Sequence, residues 1–275
     1  MNDQTSRNFR TEPGVPTLGG VNWGGLKALY IKEVRRFFKV QLQTVWGPAV
    51  TTMLYLIIFT VAMGRSGRTV LGVPFGDFVA PGLIIMAMLQ NAFANSSFSL
   101  LVGKMQGTIV DYLMPPLSTG ELIAGLVGAA VTRAILVGCA VWLAMALWPG
   151  VYVGISHPLS VVGFGLLGAL MLSFLGLLTS IWADKFDQAA MITNFVVAPL
   201  SLLSGTFYSV TQLSPPFQAV SHANPFFYVI SGFRHGFLGE ADSPVWVGAT
   251  FLIVLNLALF GLCFVLLKRG WKIKN

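Results

Sequence analysis

Six apolar runs constrain this chain more than anything else in it: residues 46–63, 78–102, 122–147, 159–182, 189–208 and 245–267. Each is near or above the ~20 residues that carry an α-helix across ~30 Å of hydrocarbon. Inside a bilayer every backbone N–H and C=O must be paired within the protein, so the runs specify an all-α membrane protein with six transmembrane helices. Only 10% of the residues are charged and 55% are hydrophobic, against roughly 25% charged in a soluble domain. The net charge of +7 would suggest nucleic acid for a soluble protein. Here it is read by position, and no nucleic-acid partner is expected.

Position decides the orientation. With both termini cytoplasmic, the inner side holds Arg7, Arg10, Lys27, Lys32, Arg35, Arg36, Lys39, Lys104, Lys185, Lys268, Arg269, Lys272 and Lys274, against Arg65, Arg68 and Arg234 outside. Residues 1–22 are polar, contain Pro13 and Pro16 and lack the apolar core of a cleavable signal, so they read as a disordered cytoplasmic tail. Residues 23–40 are amphipathic. Leu26, Leu29, Tyr30, Val34 and Phe37 share one helical face, and Lys32, Arg35, Arg36 and Lys39 project from the other. The expectation is an interfacial helix with its rings among acyl chains, its cations among headgroups, and membrane lipids as partners.

The outer loops 64–77 and 148–158 are too short to hold a domain. In the inner loop 103–120, Met105, Ile109, Tyr112 and Leu113 fall at i, i+4, i+7 and i+8, which predicts a helix of two to three turns ended by Pro115 and Pro116. An apolar stripe facing the cytoplasm with nothing in its own chain to cover it implies a partner. The second inner loop, 183–187, serves either as a further contact for that partner or as a solvated turn.

Between the fifth and sixth runs lies a segment too greasy for a solvated loop and too broken by proline for a span. It reads Leu200-Ser201-Leu202-Leu203-Ser204-Gly205-Thr206-Phe207-Tyr208, then Leu213-Ser214-Pro215-Pro216-Phe217, then Asn224-Pro225-Phe226-Phe227-Tyr228, and ends at Arg234. Short helices or an external re-entrant helical hairpin over residues 209–244, packed against the bundle, satisfy such a sequence.

This stretch resembles the C-terminal signature of the type-2 ABC exporter permeases, in which Ser-Gly-Thr-Phe-Tyr, Leu-x-Pro-Pro and Asn-Pro-x-x-Tyr leading to an Arg stand at this spacing. The likeness covers nearly the whole chain and lies with the branch that exports polysaccharides, lipo-oligosaccharides and drug-like molecules. It implies a transmembrane domain over residues 41–270, in a multi-pass protein of a bacterial inner (cytoplasmic) membrane. It further implies a homodimer working with two copies of a separate cytoplasmic ATP-binding subunit, which binds the ATP and Mg. Loop 103–120 would be the coupling helix, touching that subunit through Met105, Ile109, Asp111, Tyr112 and Leu113, with Asp184 and Lys185 from the second loop. The fifth span would face its symmetry mate across the route, with Ser201, Ser204 and Tyr208 lining it. Carbohydrate exporters commonly have an aromatic lining, and the scarcity of aromatics before Phe207 weighs against a sugar polymer.

The chemistry-bearing residues agree with a transport role. No Gly-x-x-x-x-Gly-Lys-[Ser/Thr] occurs, so ATP chemistry must come from another polypeptide. Gly163, Gly165 and Gly168 match a dinucleotide fingerprint but sit within a span, where small residues let helices approach closely. His157, His222 and His235 lack metal or nucleophile spacing, Asp77, Glu240 and Asp242 form no acid/base pair, and Cys139 and Cys263 read as small buried hydrophobes. No catalytic residue, metal or cofactor is assigned to this chain.

Three polar features lie inside the runs. Arg133 has no acidic residue in any span to neutralise it, and would cost at least ~2.5 kcal/mol facing lipid. It either meets an anionic headgroup or substrate phosphate, or snorkels and pairs with carbonyls. Asn91, Asn95 and Ser99 form an i, i+4, i+8 stripe that lines a route or bonds helix to helix. Thr193, Asn194, Ser201, Ser204 and Thr206 make the fifth run polar; Asn194 joins Asn91, Asn95, Arg133, Ser201, Ser204 and Tyr208 as lining candidates. The expected function is the permease subunit of an ATP-driven exporter of an amphipathic or lipid-linked molecule: a glycolipid, a polysaccharide precursor or a drug-like compound. The alternatives are an ATP-independent lipid scramblase or channel, which needs no docking helix, and a membrane-embedded lipid-modifying enzyme, which needs a His/Asp/Glu cluster that is missing.

Overall fold

Helix limits follow the caps, prolines and glycines. The computed structural model describes residues 20–64, 69–70 and 72–272, so most of the N-terminal tail and the cations Arg7, Arg10, Arg65, Arg68 and Lys274 lie outside the described residues. α1 (Trp23–Phe38) begins at Asn22, whose Oδ1 accepts from the Gly25 amide at 2.9 Å. A bend at 39–40 leads to a π turn (Leu42–Trp46) and α2 (Gly47–Gly64). A two-residue antiparallel pair, β1 (Thr69–Val70) and β2 (Val73–Pro74), precedes α3 (Phe75–Met105), which at 31 residues is about 46 Å long. Gly107, at φ +71°, stops any continuation, and α4 (Val110–Leu113) is a single turn. The helix of two to three turns expected in this loop is therefore split, with Met105 ending α3 and Ile109 preceding α4.

α5 (Thr119–Ala146) starts on a capping box between Ser118 and Glu121. α6 (Pro158–Trp182) follows, then α7 (Phe186–Ile192), a π turn (Thr193–Val197) and α8 (Ala198–Leu202). A 3₁₀ turn (Val210–Gln212), α9 (Pro215–Ala223), α10 (Pro225–Leu238) and α11 (Val245–Arg269) complete the chain. Among the described residues, five helices are long and apolar enough to cross a membrane: Leu42–Val61, α3, α5, α6 and α11. The fifth apolar run differs from a plain span. Pro199 has no amide to give, and the ladder widens just before it, the Ala198 amide donating to the Thr193 carbonyl.

α3 is buried on nearly every side and packs on α6, α5, α10 and α2. Glycines allow this. A Cβ placed on Gly176 of α6 would stand 2.6 Å from the Phe93 carbonyl oxygen of α3, so there the two backbones nearly touch. α10 runs antiparallel to α6, its Val229 against Gly168, its Gly232 against Phe164 and its Gly236 against Val161. Val229 is thus about 15 Å along α6 from its start. α10 therefore lies beside the bundle rather than over its end.

α1 is pinned at its start and along its length. The Asn22 amide donates to Glu121 (2.5 Å), its side-chain amide donates to the Pro116 carbonyl (3.1 Å), and the Tyr30 hydroxyl lies 2.8 Å from Thr132 Oγ1. Its buried stripe is Leu29, Glu33 and Phe37. Lys32, Arg35 and Lys39 are exposed as expected, but Arg36 turns into the bundle, which corrects its assignment to the headgroup side.

At the same end, Lys104 of α3 and Lys272 beyond α11 each reach Asp184 at 3.1 Å, and Lys104 also donates to the Ala183 carbonyl. The hydrogen bond from Lys104, then that from Lys272, holds the Asp184 carboxyl below the usual carboxylate range. A depressed carboxyl contributes its stability above its unfolded value and loses it as pH falls through the folded one, so the clasp is intact at neutral pH.

The close approach gives a test within one helix. Gly176→Ala is expected to lower stability by about 1–3 kcal/mol as α3 and α6 are forced apart. Gly163→Ala meets nothing within 4 Å and should be near neutral. Thermal unfolding of the purified protein in one detergent compares the two.

Candidate transport site

A cavity of about 660 Å³ opens between α2, α3 and α8. One wall repeats every fourth residue: Gln43, Gly47, Thr51, Tyr55 and Phe59 stack along the π turn and α2. Leu83, Met86, Gln90 and Asn91 of α3 form the back, and Ala198, Leu202 and Phe207 the far side. Amides and hydroxyls thus share the space with rings and aliphatic groups. Both flanking helices are broken at the cavity. The Gly47 amide donates to the Leu42 carbonyl one residue before Pro48, as Ala198 does before Pro199. π turns of this kind cluster at functional sites.

Behind the cavity stands Arg133. Its Nη2 donates to Asn91 Oδ1 at 2.8 Å, and Asn91 Nδ2 donates to the Ala87 carbonyl. The charge expected to lack a partner in the spans is held by an amide that faces the cavity. One turn along α3 the polar stripe continues into a buried ion pair. Arg36 Nη2 donates to the Asn95 carbonyl (2.9 Å) and to Ser99 Oγ (3.0 Å), and pairs with Glu33 at 3.0 Å. Glu33, 0% exposed, also accepts from Ser99 Oγ and from the Tyr112 hydroxyl, each at 3.0 Å. Lys32 Nζ lies 3.7 Å from the centre of the Tyr112 ring. Burial, then the Glu33 carboxylate, pushes the Tyr112 phenol far above its usual value, so it stays protonated and donating. Asn91, Asn95 and Ser99 therefore bond helix to helix, and Asn91 alone of the three also faces the cavity.

The expected contact residues of the inner loops separate. Met105, Asp111 and Leu113 are exposed, with Met114 beside them at 78%, and Ile109 is half-buried. Tyr112 is buried on α1, which corrects its placement on the outward stripe. Lys185 is exposed, while Asp184 is engaged in the lysine clasp.

The signature residues of the hairpin form a knot. Arg234 is fully buried, its Nη1 2.9 Å from Asp242 Oδ2, its Nη2 donating to the Gly205 carbonyl at 2.6 Å and its guanidinium 3.9 Å over the Phe78 ring. Ser209 Oγ donates to the other Asp242 oxygen. Asn224 donates to Ser204 Oγ (2.8 Å) and to the Leu200 carbonyl (2.9 Å), and its Oδ1 caps α10 by accepting from the Phe226 amide. Thr206 presses so closely on α3 that a Cβ on Gly82 would stand 2.9 Å from its carbonyl oxygen. Ser201 and Ser204 are buried and donate to the Val197 and Leu200 carbonyls, so neither lines an open surface of this chain. The half-buried Tyr208 donates to the Leu203 carbonyl at 2.9 Å, and Asn194 is exposed beside Phe195. Arg234, counted among the outer-loop cations, is an interior residue.

The family pattern described as ABC-2 type transporter matches residues 25–238, from α1 to the end of α10. The chain belongs to the ABC-2 type transporter family. This permease is 38% identical over 254 residues to "Inner membrane transport permease YadH" of Escherichia coli (strain K12), covering 90% of this chain and 96% of that protein. It is also 26% identical over 263 residues to "Nodulation protein J" of Rhizobium leguminosarum bv. viciae, covering 93% and 98%. A Neorhizobium galegae protein of that name is 25% identical over 241 residues. The permease is a multi-pass inner-membrane transport subunit, not an enzyme, and its family pairs with an ATP-binding subunit.

Two groups of residues in the permease site escaped the sequence reading. Glu33 carried a signal, being an acid at i+4 from Leu29 and i−4 from Phe37 on an otherwise apolar stripe. Gln43, Thr51 and Gln90 also carried one, as polar side chains at the edge of or within apolar runs. Their convergence depends on how α2 and α3 pack.

The buried pair is testable. Glu33→Gln should lower stability by about 2–3 kcal/mol, because it leaves Arg36 part-buried without an opposite charge. Tyr112→Phe should cost about 1–2 kcal/mol. In a double-mutant cycle read by thermal unfolding the double variant should be less destabilised than the sum.

Proposed function

We propose that this permease subunit is the membrane half of an ATP-driven exporter that moves an amphipathic or lipid-linked molecule outward across the inner membrane. The observation that carries the reading is the cavity between α2, α3 and α8, where Gln43, Thr51, Gln90 and Asn91 face Tyr55, Phe59 and Phe207. Such a surface matches a cargo with a polar head and an apolar body better than a hydrated ion. Arg133, bonded to the cavity-facing Asn91, offers positive charge to an anionic or phosphate-bearing head.

The working unit in this proposal is a homodimer with two ATP-binding subunits, which hold ATP and Mg. The broken helix 186–202 acts as the fifth of six spans, both termini are cytoplasmic, α1 lies at the inner interface, and the α9–α10 hairpin re-enters from the outer side. The exposed apolar tip formed by Met105, Leu113 and Met114 seats on the ATP-binding subunit. Closure of the two ATP-binding subunits then pushes α4. Tyr112, Glu33 and Arg36 carry that displacement into α1 and α3, whose neighbours form the cavity.

Two measurements test this. Met105→Asp combined with Leu113→Asp should abolish copurification with the ATPase subunit while leaving the permease folded. Thr51→Trp and Gln90→Trp should retain the subunit but cut ATPase activity stimulated by inner-membrane lipid extract at least tenfold. Stimulation unchanged by both tryptophans rules the cavity out as the cargo site.

A further inference from the structure

Away from the transport cavity, α3, α5, α6 and α10 enclose a second recess of about 360 Å³, with Met88, Gly138, Cys139, Trp142, Gly165 and Phe233 in its walls. Its lining is apolar throughout. The polar atom of Trp142, Nε1, is turned away and donates to the Val153 carbonyl at 3.0 Å. A buried water needs two to four polar partners, and this lining supplies none, so water does not fill it. Nor is the recess sealed, since Cys139, Ile135, Val162 and Leu166 on its rim are exposed.

Its depth names the occupant. Gly138 is eight residues before the end of α5 and Gly165 seven into α6, about 10–12 Å from the ends of two membrane-crossing helices. At that depth the surroundings are lipid tails, not headgroups. At roughly 30 Å³ per water-sized group the recess takes on the order of a dozen methylenes, the greater part of one acyl chain. A chain entering here brings its headgroup level with the start of α6. There the exposed His157 stacks on His235 at 4.6 Å between ring centres, and Ser160 Oγ lies 3.2 Å from His235 Nδ1. Phe233 and Phe237 of the recess flank Arg234 on α10, so an occupant packs directly on the knotted hairpin.

We propose that this recess is a binding site for one acyl chain of a resident phospholipid, held between α5, α6 and α10 and distinct from the cargo cavity. It depends on neither the cargo nor the orientation of the permease. Filling the recess tests it: at Gly165 a first side-chain carbon meets only ordinary contacts, Met88 at 3.4 Å and Phe233 at 3.5 Å, so a longer side chain points into the space. Native mass spectrometry of the assembled complex after detergent exchange should show one phospholipid retained per permease chain. Gly165→Leu and Cys139→Trp should each lower that retention at least tenfold. Equal retention in all three, or none in the wild type, overturns the proposal. A second measurement uses the unaltered chain, in which Cys139 is exposed and Cys263 buried. Maleimide labelling of Cys139 in the delipidated complex should slow several-fold when phosphatidylethanolamine and phosphatidylglycerol are restored, and an unchanged rate overturns the proposal. A Cys139–Cys139 disulfide formed by mild oxidation of native membranes would show a second copy covering the recess, and overturns it as well.

Discussion

A guanidinium shut away from water must meet a negative charge, and Arg234 fixes one end of this protein by that requirement. Its partners come from three places: Asp242 after α10, the Gly205 carbonyl after α8 and the face of Phe78 at the start of α3. The segment that joins α8 to α11 therefore cannot hang free. Asn224 repeats the arrangement with neutral groups, capping α10 with its oxygen while its amide holds Ser204 and Leu200. Together they pin the hairpin beside α6, where glycine and valine interlock.

At the opposite end Glu33 plays the matching part. It is the acceptor for Arg36, Ser99 and Tyr112, so α1, α3 and the one-turn helix of the inner loop meet at a single carboxylate. Tertiary contacts of this kind in a low-dielectric setting have discrete geometries: a side chain either bonds or is left costly and alone. In the proposed coupling, a push on the loop would therefore reach α1 and α3 through these bonds. The same stripe of α3 carries Asn91, which reaches the cavity and holds Arg133.

Two walls of that cavity are interrupted helices. α2 and α8 each lose a regular backbone bond at a proline, and each compensates with a wide turn. α3 between them is long, buried and continuous through the cavity.

Apolar run length was enough to predict a helical membrane protein, because a bilayer leaves unbroken helices as the only solution for stretches of that kind. The inner loop's stops and the proline-broken hairpin were also visible, since Pro115, Pro116, Pro215 and Pro225 act on their own neighbours through sterics and missing amides. Pairings between distant residues were not visible. Arg36 was placed among headgroups, Arg234 in an outer loop and Tyr112 on an outward stripe, although the structure buries all or part of each. Helical periodicity gives the face a residue occupies on its own helix. Only packing decides whether that face meets lipid, water or Glu33, because the energy of a buried charge depends on a partner up to 79 positions away.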